Sequence, residues 1–223
     1  MSNTPLVLVP GLLCDPLLWA PQIGALSDIA DCWVASTVGS NRIEALANEV
    51  LQSAPFDSFA LAGLSMGGYI ALEILRQSPS RVSKIALLDT NARADTAEQS
   101  EKRRALMDVA KRGGFGKVTE MLLPALVNRA RSYDPQVVGI IRTMARNIGA
   151  TAFLDQEEAI IHRPDCRPWL GEVKCPALVL CGKQDSLTPP SLHVEMANAM
   201  PTAHLVVIED CGHLSTIEQP EEV

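Results

Sequence analysis

The sequence predicts an α/β fold in which a mostly parallel, doubly wound sheet is interrupted by an inserted helical block. Two observations predict it. Short, continuously apolar runs alternate with amphipathic stretches of helical period near both ends of the chain, as in parallel sheets covered by helices on two faces. Between residues 91 and 168 the apolar pattern is helical throughout. The 223 residues, 47% of them hydrophobic, suffice for one domain-sized core with an insertion.

Four strands are predicted in the first ninety residues. Each is a mainly apolar run, and the predicted strands are Leu6–Val9, Asp31–Ala35, Ser58–Gly63 and Ile85–Leu88. The segments Ile43–Ala54 and Met66–Gln77 repeat apolar residues at three- and four-residue spacing, which predicts helices. Parallel strands joined by such helices have right-handed crossovers, so a doubly wound sheet follows.

The pattern changes after Asp89. Four helices are predicted next, at Ala97–Arg112, Phe115–Arg131, Pro135–Ile148 and Thr151–Ile161. Strands are then predicted at Ala177–Cys181 and His204–Ile208, with a helix near Ser191–Met200 between them. We therefore expect residues 1–90 and 169–223 to form the α/β core, and residues 91–168 to form a helical cap.

Charge is distributed unevenly along the chain. The net charge of −7 argues against a nucleic-acid-binding protein, because phosphate contacts require a basic surface. Residues 91–170 nevertheless carry 13 Lys and Arg against 10 Asp and Glu, a net charge of +3, while the remaining residues carry −10. Two interpretations remain open: these basic residues cover solvated helix faces, or they draw anionic substrates into a cleft.

A cytoplasmic protein without a membrane span is expected. The longest apolar runs are far shorter than the roughly 20 residues of a membrane helix, and the first residues lack a basic, signal-like segment. The six cysteines form no C-x-x-C pair, so we expect reduced, structural thiols and no metal site. They are Cys14, Cys32, Cys166, Cys175, Cys181 and Cys211.

A G-x-S-x-G motif, Gly63 to Gly67, lies between a predicted strand and a predicted helix. In that context it is typical of a nucleophile elbow, a turn so sharp that side chains at the two glycine positions would collide. Ser65 is therefore the predicted nucleophile, raised above the sheet at a helix N-terminus. The alternative interpretation is a serine that caps the helix after a glycine turn.

A nucleophilic serine needs a base, and the base needs a carboxylate to orient it. Of the four histidines, His213 stands in a loop just beyond the last predicted strand. Loops at the carboxyl ends of parallel strands are where such folds place their sites. Asp185 follows the fifth predicted strand in the same way, and Asp89, which ends the fourth, is the rival acid.

The tetrahedral oxyanion formed by attack on an acyl carbon needs two positioned N–H donors. One candidate is the backbone N–H of Met66, directly after the nucleophile. The other is the N–H of Leu12, in the loop that follows the first predicted strand. Both positions lie at the same predicted edge of the sheet.

These motifs together resemble those of the α/β-hydrolase superfamily, over essentially the whole chain. They are Pro10-Gly11 with Trp19 eight residues after the glycine, Gly63-Leu64-Ser65-Met66-Gly67-Gly68, Gly182-Lys183-Gln184-Asp185 and Gly212-His213. The order Ser, Asp, His is that of this superfamily. The resemblance implies an α/β-hydrolase fold and a serine hydrolase with a helical cap, without metal or organic cofactor. The leading hypothesis is hydrolysis of a small carboxylic ester through an acyl-enzyme intermediate.

The chain departs from the family pattern in two places. Members often have His-Gly where this sequence has Pro10-Gly11, which affects the expected shape of the oxyanion loop. Family chains also usually continue past the histidine into a full closing helix, whereas this one stops at Val223. A chain cut short at its C-terminus is therefore one expectation.

Other activities use the same three residues. The alternatives are a C–C bond hydrolase, an enol-lactonase, a thioesterase or a lyase resembling the menaquinone-pathway synthase. A second alternative is a non-catalytic ligand-binding protein on this fold. Leu13, Trp19 and Phe153 are candidates for lining the pocket, with core packing as the other interpretation of each.

Overall fold

Six parallel strands form one sheet at the centre of the molecule in the computed structural model, which describes residues 3–223. The strands are β1 Thr4–Val9, β2 Ala30–Val34, β3 Phe59–Leu64, β4 Val82–Leu88, β5 Ala177–Gly182 and β6 Ala203–Ile208. Their order across the sheet is β2-β1-β3-β4-β5-β6. Successive strands therefore add on opposite sides of β1, and the chain reverses its direction of winding between β1 and β3. Ligands of open α/β sheets bind at the carboxyl edge of such a reversal.

In the described part of the chain, eight α-helices connect or follow these strands. They are α1 Ala20–Leu26, α2 Ile43–Ser53, α3 Met66–Gln77, α4 Ala97–Val109, α5 Phe115–Leu126, α6 Pro135–Ile161, α7 Pro190–Ala199 and α8 Ser215–Glu218. Short 3₁₀ turns lie at Pro16–Trp19, Pro79–Arg81, Arg129–Arg131 and Arg167–Glu172, and a π turn lies at Ala110–Gly114. Within residues 3–223, no helix combines the length and the hydrophobicity needed to cross a membrane.

The two faces of the sheet carry separate hydrophobic cores because side chains alternate along each strand. On β1, Val7 and Val9 pack on one face with α2, α3 and α7, whereas Leu8 packs on the other face with α6, α8 and the turn before α1. A third cluster lies among α4, α5 and α6. This arrangement confirms the predicted doubly wound α/β sheet.

All six predicted strands are present, with ends within three residues of those predicted. The helix α1 was not predicted, because its seven residues are too few to display a helical period. The helix predicted at 115–131 stops at Leu126, and residues 129–131 form a separate 3₁₀ turn. The two last helices predicted between β4 and β5 are present as the two halves of α6, on either side of Gly149, whose backbone is not helical.

Glycine explains that bend. Gly149 has a φ of 80° within α6, a backbone conformation that L-residues with side chains rarely adopt. The residues on either side are helical, so the helical conformation is interrupted at Gly149, where the chain changes direction, and resumes after it. The second half of α6 is thereby turned toward the loop after β1, which Gln156 contacts.

Candidate active site

The turn between β3 and α3 has the geometry of a nucleophile elbow. Ser65 has a φ of 55° and a ψ of −118°, a strained conformation for a residue other than glycine. A Cβ at Gly63 would overlap the Gly67 backbone, and one at Gly67 would overlap the carbonyl of Val9. Both glycines are therefore required for the elbow to pack against β1, and the serine hydroxyl is exposed to the cavity above the sheet.

The structure brings Ser65, His213 and Asp185 into one hydrogen-bonded chain. The His213 Nε2 atom lies 2.9 Å from Ser65 Oγ, and His213 Nδ1 lies 2.8 Å from Asp185 Oδ2. With the proton on Nδ1, the imidazole donates to the carboxylate and accepts the serine hydroxyl proton. Because the three residues follow β3, β5 and β6, they come together at the carboxyl edge of the sheet.

Asp185 is fixed by its own loop. Its Oδ1 atom accepts hydrogen bonds from the backbone N–H groups of Leu187 and Thr188, both at 2.9 Å, and Oδ2 accepts from the Thr188 hydroxyl at 2.6 Å. Burial raises the pKa of the carboxyl, but the His213 charge and these donors outweigh burial and hold the pKa below its usual value. Asp185 is thus ionised at neutral pH and oriented toward the imidazole.

His213 is buried, with 3% of its surface exposed. Burial by itself lowers the pKa of the imidazole. The charge and hydrogen bond of Asp185 raise the pKa by more than burial lowers it, so the net pKa lies above its usual value. An imidazole with a raised pKa is a stronger base toward the serine proton.

Asp89 lies near Asp185 and His213 and does not contact His213 by hydrogen bond. Its Oδ1 atom accepts from the N–H of Gly182 at 3.0 Å, and Oδ2 accepts from the N–H and the hydroxyl of Ser215 at 3.1 and 2.5 Å. Burial raises its pKa to about 7. Asp89 therefore links the loop that carries Asp185 to the segment after His213, which makes it a structural partner of both.

The two candidate oxyanion donors are the N–H of Met66, which directly follows Ser65, and the N–H of Leu12, a residue that lines the same cavity as Ser65. Met66 is the first residue of α3, so its N–H has no acceptor within the helix. In the described part of the chain, the Leu12 N–H donates to no protein atom. A Cβ at Gly11 would stand 3.1 Å from the Leu64 carbonyl oxygen and 3.2 Å from Ser65 Cβ. The loop after β1 therefore lies close to Ser65, and a side chain at position 11 would crowd this serine.

A cavity of about 370 Å³ opens above Ser65 and His213. It is lined on one side by leucines from two helices and three loops, namely Leu12, Leu13, Leu106, Leu122, Leu126, Leu187 and Leu214. Its volume is that of a small-molecule pocket. The apolar wall suits an aliphatic or aromatic group next to the reacting carbonyl.

Of the three pocket candidates, the structure places only Leu13 in this wall. Trp19 is 2% exposed and packs in the core on the α6 and α8 face of the sheet. Phe153 is fully buried among α4, α5 and α6, with its ring centroid 5.8 Å from that of Phe115. Both side chains therefore belong to hydrophobic cores and do not line the cavity. The sequence pattern does not show how the helices pack, so it could not distinguish these two positions.

The opposite wall is polar and carries two arginines. Arg103 on α4 bonds the Glu157 carboxylate at 2.8 Å and Asp95 at 3.3 Å. Arg163 bonds Asp95 at 2.6 Å, and its guanidinium lies 4.5 Å from the centre of the Tyr69 ring. Burial raises the pKa of Glu157 despite the charge of Arg103. The sequence offered no signal for this cluster, whose members lie on separate elements.

Glu218 holds the histidine loop and was also missed. Its Oε1 atom accepts from the N–H groups of Gly212 and Leu214 at 3.0 and 3.4 Å, and Oε2 accepts from the N–H of Asn128 at 2.7 Å. One carboxylate therefore ties both sides of His213 to the segment between α5 and α6. A glutamate five residues after the histidine was visible in the sequence, but its partners were not.

Thr188, by contrast, had a detectable signal in the sequence, since a threonine three residues after an aspartate is common in local hydrogen-bonded turns.

All six cysteines are free thiols. In residues 3–223, no group of three or more His, Cys, Asp or Glu side chains is placed to hold a metal ion.

Comparisons with known proteins agree with the geometry. A family model described as the alpha/beta hydrolase fold matches residues 4–220. A thermophilic esterase from Thermogutta terrifontis, solved with malate bound, has a TM-score of 0.89 and 31% identity, covering 99% of this chain and 86% of that one. The enol-lactonase from Burkholderia xenovorans LB400 has a TM-score of 0.89 and 27% identity over 100% of this chain and 88% of that one. A pimeloyl-[acyl-carrier protein] methyl ester esterase from Neisseria meningitidis is 26% identical over 185 residues, 80% of this chain and 71% of that one.

Proposed function

Since the chain belongs to the α/β-hydrolase family and is a hydrolase, we propose that it cleaves carboxylic esters at Ser65. The observation that carries this proposal is the hydrogen-bonded chain from Ser65 through His213 to Asp185 in the wall of a cavity. This arrangement of hydroxyl, imidazole and carboxylate attacks acyl carbons and forms an acyl ester of the serine.

In the proposed mechanism, Ser65 Oγ attacks the acyl carbon while its proton passes to His213 Nε2. The carbonyl oxygen becomes an oxyanion that accepts hydrogen bonds from the N–H groups of Leu12 and Met66. The intermediate collapses, the C–O bond to the alcohol breaks, and the alcohol leaves with the proton from His213. Water then attacks the acyl-Ser65 ester with His213 again as base, which releases the carboxylic acid and restores the hydroxyl.

We also propose that residues 91–168 serve as the cap of this site, over the core formed by residues 1–90 and 169–223. Leucines of α4 and α5 supply much of the apolar wall, and Arg103, Glu157 and Arg163 supply the polar one. A cap that excludes water strengthens the interactions of the oxyanion with its donors.

For the location of the protein we propose a reducing compartment such as the cytoplasm, which the six free thiols support.

The proposal is tested by steady-state hydrolysis of p-nitrophenyl esters with acyl chains of two to eight carbons, using Ser65→Ala as the blank. We expect turnover of the shorter esters, because the cavity of about 370 Å³ leaves little room for a long chain beside the leaving group. A folded protein that turned over none of these esters above the Ser65→Ala rate would contradict it.

A lactonase is the second candidate, favoured by the structural similarity to the enol-lactonase. A lactone is a cyclic ester, so the same attack and the same oxyanion donors apply, with the alcohol retained on the acyl group. Comparing five- and six-membered lactones with open-chain esters of equal carbon number separates the two activities by their kcat/KM values.

Activity is expected to fall in acid with a midpoint above pH 6.5. His213 accepts the serine proton only when its imidazole is neutral, and protonation removes that capacity. Because the net effect of Asp185 raises the pKa of His213 above its usual value of 6.5, the loss begins at a higher pH than for a free imidazole. The pH dependence of kcat/KM for a neutral ester between pH 5 and 9 measures this. A midpoint at or below 6.5 would refute the predicted coupling to Asp185.

Arg103 is proposed to bind an anionic group of the substrate. Its side chain is 22% exposed, and within residues 3–223 its Nη2 atom donates to no protein acceptor, whereas Nη1 and Nε are held by Glu157 and Asp95. The remaining N–H groups are therefore held in place for a carboxylate. The malate-bound form of the similar T. terrifontis esterase supports an anionic ligand.

For Arg103→Met we expect kcat/KM to fall about 10- to 100-fold on an ester carrying a carboxylate and less than about threefold on its neutral counterpart. Arg142→Met is the matched control. Like Arg103, Arg142 lies on a helix and pairs with a glutamate, Glu120, but it does not line the cavity. Added salt should also lower kcat/KM for the anionic ester. Equal losses on both esters, or indifference to salt, would count against an anionic subsite.

A further inference from the structure

We infer that Gln156 is a positioning residue that holds the loop after β1 in the shape needed for oxyanion binding, an inference that rests on the proposed hydrolytic function. Gln156 lies on α6, fully buried, and is 143 residues from the loop it contacts. It has no part in the triad and does not line the cavity.

The loop after β1 forms a tight turn over residues 11–14. The N–H of Cys14 donates to the carbonyl of Gly11 at 3.2 Å, and Leu13, the third residue of the turn, has a φ of 57°. A positive φ at that position is typical of a type II turn, which usually places glycine there. Leucine is disfavoured in this conformation, so contacts outside the turn must maintain it.

Gln156 supplies that contact. Its Oε1 atom accepts the Leu13 N–H at 3.0 Å, and its Nε2 atom donates to both the carbonyl and the hydroxyl oxygen of Thr37 at 3.1 Å. The two bonds to Thr37, which follows β2, fix which end of the amide faces Leu13. The carboxamide is thus held from one side and holds the turn from the other.

The Leu13 N–H belongs to the peptide group that joins Leu12 to Leu13. Without an acceptor for it, this peptide is free to rotate so that Leu13 relaxes to a negative φ, as in a type I turn. Such a rotation changes ψ of Leu12 and φ of Leu13, and it displaces the adjoining Gly11–Leu12 peptide, whose N–H is the proposed oxyanion donor. Because a Cβ at Gly11 would stand only 3.2 Å from Ser65 Cβ, this peptide lies close to the serine, and a small loop movement changes the donor geometry there.

Replacing Gln156 with leucine removes both its acceptor and its donors at nearly constant volume. We expect kcat to fall roughly 10- to 100-fold, less than the roughly 100- to 1,000-fold lost when an oxyanion donor is removed outright, while KM changes less than about threefold. The second-order rate of inactivation by a fluorophosphonate should fall by the same factor, because the phosphoryl oxygen uses the same donors when fluoride leaves.

Two further variants separate positioning from folding. Gln156→Glu keeps an oxygen acceptor for the Leu13 N–H, so its kcat should stay within about fivefold of the parent. Met144→Ala disturbs another buried residue of α6, away from the cavity, and should lower thermal stability without lowering kcat. Circular dichroism melts of all three variants verify that the folded protein is being assayed.

The outcomes are distinct. A parent protein that fails to react with the fluorophosphonate would overturn the proposed hydrolytic function itself. A reactive parent together with a Gln156→Leu variant of equal kcat and equal inactivation rate would overturn the role of Gln156 alone. A drop in kcat shared by Gln156→Leu, Gln156→Glu and Met144→Ala would likewise overturn it, since it would follow stability and not the hydrogen bond to Leu13.

Discussion

Replacing Ser65 with alanine is expected to lower kcat for ester hydrolysis by about 10⁴- to 10⁶-fold. The change removes the attacking oxygen and leaves the Cβ, so the strained backbone of the elbow, with its φ of 55°, experiences no new contact. Among residues 3–223, the hydroxyl makes no hydrogen bond other than the one to His213 Nε2. The melting temperature should therefore stay close to that of the parent.

The Ser65→Ala variant also separates catalysis from binding. A protein that only binds a ligand on this fold would bind equally well with alanine at position 65 and would show no turnover in the parent. Hydrolysis of a p-nitrophenyl ester by the parent, lost in the variant, favours the enzyme. Retention of most of the ester hydrolysis in the folded variant would place the nucleophile elsewhere.

Replacing Asp185 with asparagine is expected to cost about 10⁴-fold in kcat. An asparagine amide facing His213 Nδ1 favours the tautomer with its proton on Nε2, which cannot accept the serine proton. The loss of charge also removes the main stabilisation of the imidazolium that forms as the proton is transferred. Kinetics at saturating ester, with the melting temperature recorded beside them, measure the effect.

Asp89→Asn is the matched comparison, because Asp89 is another buried aspartate whose charge acts on His213. With a pKa of about 7, Asp89 is partly protonated at neutral pH, and a neutral asparagine resembles its protonated form. An asparagine oxygen can still accept from the Gly182 N–H. We expect less than about a tenfold loss in kcat. A larger loss for Asp89→Asn than for Asp185→Asn would reverse the assignment of the acid.

The sheet was predictable from the sequence because its signals are local. Strands such as Leu6–Val9 and Ala177–Cys181 are uninterrupted apolar runs, and parallel strands buried on two faces need little else. The helical block was predictable as helices but not as a shape. The break at Gly149 between the two halves of α6 was predictable, since glycine interrupts helical patterns, but the direction in which the second half continues was not.

The same distinction applies to the site. Ser65, Asp185 and His213 each follow a strand in a loop of recognisable composition, so position alone brought them to one edge of the sheet. Gln156 and Glu157 lie in no such loop. They are neighbouring polar residues on an amphipathic helix, and nothing in the sequence distinguishes them from other polar helical residues. Their partners, Leu13 and Arg103, are set by how the helices pack against the core, and side-chain periodicity does not contain that information.

The most direct test of the account is the intact mass of the protein after treatment with a fluorophosphonate, with Ser65→Ala treated in parallel. We predict one adduct per chain in the parent, formed when Ser65 Oγ displaces fluoride from phosphorus, and none in the variant. An adduct that persists in Ser65→Ala, or a folded parent that forms none, would contradict an activated Ser65.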